Sequence, residues 1–164
     1  VVLLIDSRNG FAVWAHVGDT RIYLFRRGRV AYQTRDHSLV QNMIDAGYGS
    51  ADLIRSHPQR SLLTSAIGSK DEISLSVSSE PLQLLPGDVF LMCTDGWWEY
   101  VEEHEMERTL DESQSPEAWL AGMQALICSR APVENDNYTA VCVRMADETT
   151  IIIPSTPRDV PGQD

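Results

Sequence analysis

Short apolar runs separated by tight turn signals fill the first third of the chain, and a segment patterned this way is confined to a β-meander. Residues 1–5 are wholly apolar. Asn9-Gly10 follows closely, and this dipeptide favours the left-handed backbone that a two-residue hairpin turn requires. Residues 11–17 (FAVWAHV) give a second strand, apolar on nearly both faces and so expected to be covered on both sides. Gly18-Asp19-Thr20 punctuates it. Residues 21–26 (RIYLFR) and 29–34 (RVAYQT) then form another hairpin around Arg27-Gly28.

The pattern changes after residue 35. Leu39, Val40, Met43 and Ile44 have helical spacing, with Asp36 or Ser38 as the cap and Gly47 as the stop. Residues 48–58 are polar and mixed, which reads as a mobile insertion. Ile73, Leu75 and Val77 alternate as a strand, Pro86-Gly87-Asp88 is a turn, and Val89 to Cys93 is a buried strand. One helix is expected over about residues 101–110. A second starts at Ser115-Pro116-Glu117, a cap residue followed by proline at the first helical position, and carries an apolar stripe of Trp119, Met123, Leu126 and Ile127. Tyr138 to Met145 gives a last buried strand, and 149–153 an added edge. The acidic run Glu99, Glu102, Glu103, Glu105 and Glu107 reads as a solvated helix face.

The chain has 164 residues, 43% of them hydrophobic and 23% charged, which suits one domain with a real core. No apolar run approaches the roughly 20 residues that span a bilayer. A net charge of −11 argues against a nucleic-acid binder but not against divalent cations, which carboxylates attract. Cys93, Cys128 and Cys142 are odd in number and lack C-x-x-C spacing, so neither a disulfide framework nor a zinc site is implied. Cys93 and Cys142 sit in apolar strand-like runs and are expected to be buried thiols in a reducing, cytoplasmic compartment. The abrupt apolar start at Val1 suggests a chain that begins inside a domain.

Three carboxylates share one context. Asp19 follows the strand FAVWAHV, Asp95 follows VFLMC, and Asp136 precedes YTAVCV. Each lies at the end of a strand beside Gly or Asn, residues that permit unusual turns. Any one alone reads as a turn residue. Three at matched positions can converge at one sheet edge and supply the oxygen donors that a hard dication needs.

The flanking residues carry a resemblance. Val17-Gly18-Asp19-Thr20-Arg21 resembles the V-G-D-S-R segment of the metal-dependent protein phosphatases (the PPM family, protein phosphatase 2C type), and Thr34-Arg35-Asp36-His37-Ser38 its T-x-D-H-S segment. His57-Pro58-Gln59-Arg60 with Leu63-Thr64-Ser65-Ala66-Ile67-Gly68 is similar to the bacterial H-P-x-R…L-T-R-A-L-G stretch. Pro86-Gly87-Asp88 through Cys93-Thr94-Asp95-Gly96 resembles P-G-D…L-L-C-S-D-G-L, and Asn135 to Val141 resembles x-D-N-x-T-V-V. The order and spacings match over residues 1 to about 146.

That resemblance implies an α+β fold: two antiparallel β-sheets packed as a sandwich and flanked by helices in α-β-β-α layers, here incomplete at the N-terminus. Residues 1–153 would be the C-terminal portion of a catalytic domain, with 41–58 as its flap, and 154–164 a linker or disordered tail. Asp95 and Asp136 match aspartates that bind a pair of Mn²⁺ or Mg²⁺ ions, and Asp19 matches the aspartate of a third, weaker site. Gly96 and Asn137 would shape the surrounding turns. The implied activity is hydrolysis of phosphoserine and phosphothreonine by a hydroxide bridging two metals. Phosphorylated proteins would be the substrates, and a cognate serine/threonine kinase a partner. The family's D-G-M-G-G-H run and its phosphate-binding arginine have no counterpart here, so no residue takes the general-acid or phosphate-binding role, and this chain alone is expected to be inactive. Thr20, Ser65 and Trp97 are smaller departures. Two alternatives remain: a pseudophosphatase serving as a binding or regulatory module, and an unrelated two-metal phosphoesterase with coincident spacing.

Overall fold

The computed structural model describes residues 1–69, 73–132 and 136–146. Two antiparallel sheets form the centre of the molecule. In the first, β1 (Val2–Asp6) pairs with β2 (Phe11–His16) in a register running from Val2 opposite Ala15 to Asp6 opposite Phe11. The hairpin closes at the expected place, but because Asp6 pairs with Phe11 it does so through a four-residue loop, residues 7–10, in place of a two-residue turn. Gly10 sits at φ +71°, and the Asp6 carboxylate accepts from the backbone N–H groups of Arg8 and Asn9 at 3.0 and 3.1 Å. Two short strands, β5 (Ser76–Val77) and β6 (Leu82–Gln83), pair with the other side of β2. The alternation over Ile73, Leu75 and Val77 thus yields only two paired residues.

The second sheet contains β3 (Arg21–Arg26), β4 (Arg29–Gln33), β7 (Val89–Cys93) and β8 (Ala140–Arg144) in the order β4-β3-β7-β8. Its central strand β3 is covered on both faces, and its side chains divide by the period of two. Ile22 and Leu24 enter a cluster with Ala12, Trp14, Leu84 and Phe90 between the sheets. Tyr23 and Phe25 enter a second cluster with Leu91, Met106, Trp119 and Met123, under α4 (Glu103–Glu112) and α5 (Pro116–Arg130). Ser115 caps α5 by accepting from the Ala118 N–H at 3.2 Å, with Pro116 in the first turn as the sequence implies.

β2 departs from expectation. Ala12, Trp14 and His16 are buried, but Phe11 is exposed and Val13 and Ala15 are only partly covered. Val2 and Leu4 on β1 are each 65% exposed, so no described helix covers that side of the first sheet. The described layers are therefore sheet, sheet and helices. The expected strand at 149–153 and tail at 154–164 lie outside the described residues.

Residues 39–60 are more anchored than a polar insertion suggests. Helix α1 (Leu39–Asp45) is capped by Ser38, whose Oγ accepts from the Gln41 N–H at 3.1 Å, and ends at Gly47 with φ +82°. Helix α2 (Leu53–Ser56) buries Ile54. Its Arg55 donates to the Trp98 carbonyl oxygen at 2.9 Å and pairs with Glu103, while Arg60 pairs with Glu99 at 2.8 Å.

Candidate functional site

Sheet order brings the three aspartates to one edge. Arg21, which opens β3, lies opposite Cys93 at the end of β7, and Cys93 lies opposite Ala140 at the start of β8. Asp19, Asp95 and Asp136 stand just beyond these three strand ends. The ladder between β7 and β8 continues past the strands, with the Thr94 N–H donating to the Thr139 carbonyl oxygen and the Thr139 N–H to Thr94 Oγ1, both at 3.1 Å.

Asp95 opens the short helix α3 (Asp95–Trp98), and its carboxylate accepts from the Gly96 N–H at 2.8 Å. Asp136 accepts from the Asn137 N–H at 2.7 Å. These two loops touch at Gly96. A Cβ placed there would lie 2.6 Å from the Asn137 carbonyl oxygen and 3.3 Å from Tyr138 Cβ. Glycine is what lets the Asp95 and Asp136 loops approach this closely.

The Asp19 turn is held on both sides. Gly18 at φ +83° donates its N–H to His37 Nδ1 at 3.2 Å, and Trp98 Nε1 donates to the Asp19 carbonyl oxygen at 2.9 Å. Burial raises the Asp19 carboxyl to about 6, and the nearby Asp95 charge adds to the rise. Two carboxylates that repel one another are what a cation between them would relieve. The donor set is all oxygen and fits a hard dication in kind. It does not form a closed ligand shell: among the described residues, no three His, Cys, Asp or Glu side chains stand close enough together to hold a metal ion.

Behind this edge lies a buried polar assembly that the sequence did not disclose. Arg21, 1% exposed, forms a two-point pair with Asp36 at 2.8 Å, donates to Tyr23 Oη at 2.9 Å, and lies 3.6 Å above the Trp98 ring. Asp36 is therefore the partner of a buried cation, and the capping role falls to Ser38. Burial disfavours the Arg21 charge, but the adjoining Asp36 carboxylate holds its pKa above the usual value. Tyr23 donates onward to Glu103 at 3.0 Å. Burial alone would raise Glu103, yet Arg55 keeps it below the ordinary carboxylate range.

The acidic run is correspondingly not one solvated face. Glu99 and Glu103 hold arginines from residues 55–60, Glu107 accepts from the Val30 N–H, and Glu105 is buried against Arg130 at 2.6 Å. Only Glu102 of that run is strongly exposed. The histidines take structural places. His16 is buried and donates from Nε2 to the Arg35 carbonyl oxygen at 2.8 Å, stacked on His37 with ring centroids 4.7 Å apart. His104 lies on the surface of α4, beside Glu102. All three cysteines are unpaired; Cys93 is buried, Cys142 half-buried and Cys128 exposed.

Comparison with known proteins bears directly on this arrangement. No protein-family profile matches the sequence. The chain is 38% identical over 96 residues to the protein phosphatase PhpP of Streptococcus pneumoniae, covering 58% of this chain and 37% of that protein. It is 32% identical over 147 residues to the serine/threonine protein phosphatase PstP of Mycobacterium tuberculosis, covering 89% of this chain and 27% of that one. The crystal structure of Mycobacterium tuberculosis PstP superposes with a TM-score of 0.72 at 28% identity, over 88% of this chain and 58% of that chain. This is the fold of the bacterial PPM-type serine/threonine phosphatases. A structure of the PstP catalytic domain with two manganese ions superposes with a TM-score of 0.65 at 22% identity, over 87% of this chain and 56% of that chain. The chain spans well under half the length of these curated relatives and a little over half of the solved PPM-type chains.

Proposed function

We propose that residues 1–153 are the C-terminal portion of a PPM-type catalytic domain whose whole protein dephosphorylates phosphoserine and phosphothreonine in proteins. The observation that carries this reading is the convergence of Asp19, Asp95 and Asp136 at one sheet edge in a phosphatase fold, with the Asp95 and Asp136 loops in contact at Gly96. Asp95 and Asp136 would hold Mn²⁺ or Mg²⁺ of a catalytic pair, and Asp19 an ion at a third, weaker site. When bound, such ions supply Lewis acidity, producing a nucleophile from water at neutral pH and neutralising charge on the phosphoryl group. The chain's own residues orient carboxylates. Gly96 and Asn137 fix the turns that present Asp95 and Asp136, while His37 and Trp98 clamp the turn that presents Asp19.

The described residues supply too few side chains for a closed shell, so residues 1–164 by themselves should hold metal weakly and turn over little. Residues 41–58 flank this edge as a flap and would act on substrate choice. No helix among the described residues is long and apolar enough to cross a membrane. A cytoplasmic setting, with a serine/threonine kinase as functional partner, is part of the same proposal. The test is hydrolysis of a phosphothreonine peptide by a protein extended to the length of its relatives, with and without Mn²⁺. Activity that appears with Mn²⁺ and vanishes with chelator is expected. A folded, Mn²⁺-loaded protein that hydrolyses neither peptide nor aryl phosphate would favour a pseudophosphatase.

A further inference from the structure

We infer that Trp98 is a positioning residue that fixes the Asp19 carboxylate relative to Asp95 and ties both to the 39–60 segment. The inference rests on the phosphatase reading above and adds a residue that the spacing of carboxylates does not reveal. Three contacts converge on this one residue, two on its ring and one on its backbone, and it is 2% exposed. Its indole N–H donates to the Asp19 carbonyl oxygen, across 79 residues of sequence, at 2.9 Å. Its ring lies under the Arg21 guanidinium at 3.6 Å, two residues after Asp19. Its own carbonyl oxygen accepts from Arg55 Nε of α2 at 2.9 Å.

The consequence follows from backbone geometry. A fixed carbonyl oxygen fixes the peptide plane that follows Asp19, and the plane that precedes it is held through the Gly18 carbonyl oxygen, which accepts from the His37 N–H at 2.9 Å. With both flanking peptides fixed, little freedom remains in the direction of the Asp19 side chain. Trp98 belongs to the same four-residue helix that begins with Asp95, so one rigid turn carries Asp95 and grips Asp19 together. That grip holds two carboxylates in proximity against their mutual repulsion. A displacement of α2 would reach Asp19 through Arg55 and Trp98. Packing alone would explain a buried ring, but it does not require the indole hydrogen to meet the backbone carbonyl oxygen of a candidate ligand.

The experiment uses the protein extended to the length of its relatives. Trp98→Phe keeps a ring beneath Arg21 and deletes the donor. Site-specific replacement of Trp98 by 3-benzothienylalanine keeps the shape and puts sulfur in place of the N–H. Mn²⁺ binding is read from the electron paramagnetic resonance of the free ion, alongside unfolding temperature and aryl phosphate kinetics. Both variants should lose about tenfold in affinity at the weakest Mn²⁺ site, the usual scale for loss of a contact that orients a ligand. kcat should fall more than KM, and excess Mn²⁺ should restore it, which a purely structural lesion would not allow. An analogue that binds Mn²⁺ as the parent does overturns the inference and leaves the phosphatase reading intact. Unfolding of both variants without metal also overturns it, because the bond would then hold the fold and not the aspartate. A parent protein that neither binds Mn²⁺ nor hydrolyses phosphate overturns the phosphatase reading, and this inference with it.

Discussion

Gly96→Ala sets two effects of known size against each other. Gly96 is the second residue of α3, and alanine in place of glycine within a helix ordinarily stabilises by about 0.4–1 kcal/mol, mainly by reducing the freedom of the unfolded chain. Here the added methyl would stand 2.6 Å from the Asn137 carbonyl oxygen and 3.2 Å from its carbon, both backbone atoms. Ordinary contact begins near 3.4 Å, so the loop carrying Asp136 must retreat by about 0.8 Å. Forcing a methyl into a packed junction typically costs about 1–3 kcal/mol. The clash should win, leaving a net loss of about 1–2 kcal/mol. Urea unfolding followed by tryptophan fluorescence measures it, and with a slope of roughly 1–3 kcal/mol per molar the midpoint should fall by about 0.5–1 M. Mn²⁺ affinity in the longer protein should fall as well, since the retreat separates Asp136 from Asp95. A Gly96→Ala protein at least as stable as its parent would refute the close approach of the two loops and the geometry derived from it.

Asp36→Ala leaves the Arg21 guanidinium buried without its carboxylate, so stability should drop by about 3–5 kcal/mol in thermal or urea unfolding, far more than for an exposed ion pair. Arg130 holds the Glu105 carboxyl down to about 2, against about 4.5 when unfolded. A depressed folded-state value means that the stabilisation is complete above about 4.5 and is lost as pH falls from there towards about 2; Glu105→Gln should remove about 1–2 kcal/mol at pH 7 and flatten that part of the stability profile, the figure reduced because Arg130 is partly exposed. Arg55→Met in the longer protein should release α2 and raise KM for a phosphopeptide more than for a small aryl phosphate; equal changes for both would argue against a role of this segment in substrate choice.

What the sequence disclosed and what it withheld divide along the range of the forces involved. Asn9-Gly10 and Ser115-Pro116 report local backbone preferences, and both act where they stand, one closing a hairpin and the other opening α5. The placement of the three aspartates at one edge was legible because each sits at a strand end, and strand ends in an antiparallel sheet meet at common edges; their role as ligands is part of the proposal. The acidic run was misread because its partners, Arg55, Arg60 and Arg130, lie 25 to 48 residues away and only the fold brings them near. Asp36 was ambiguous for the same reason: a carboxylate before a helix serves as a cap or as the partner of a buried arginine, and only the position of Arg21 decides. The covering of β2 was overstated because apolar residues on both faces of a strand record a capacity for burial. They do not show that a partner layer is present among the described residues. Trp98 carries no sequence signal for its bond to Asp19 beyond its closeness to Asp95.

The central claim is that the Asp95 and Asp136 carboxylates hold the ions on which phosphoester hydrolysis depends. It is tested most directly by measuring Mn²⁺-dependent turnover of aryl phosphate and phosphothreonine peptide in the longer protein carrying Asp95→Asn or Asp136→Asn, with circular dichroism confirming the fold. Replacing a charged oxygen ligand by an amide should lower turnover on the order of a hundredfold or more in each, with Asp19→Asn affected less. Near-parental turnover in a folded Asp95→Asn protein would contradict the account.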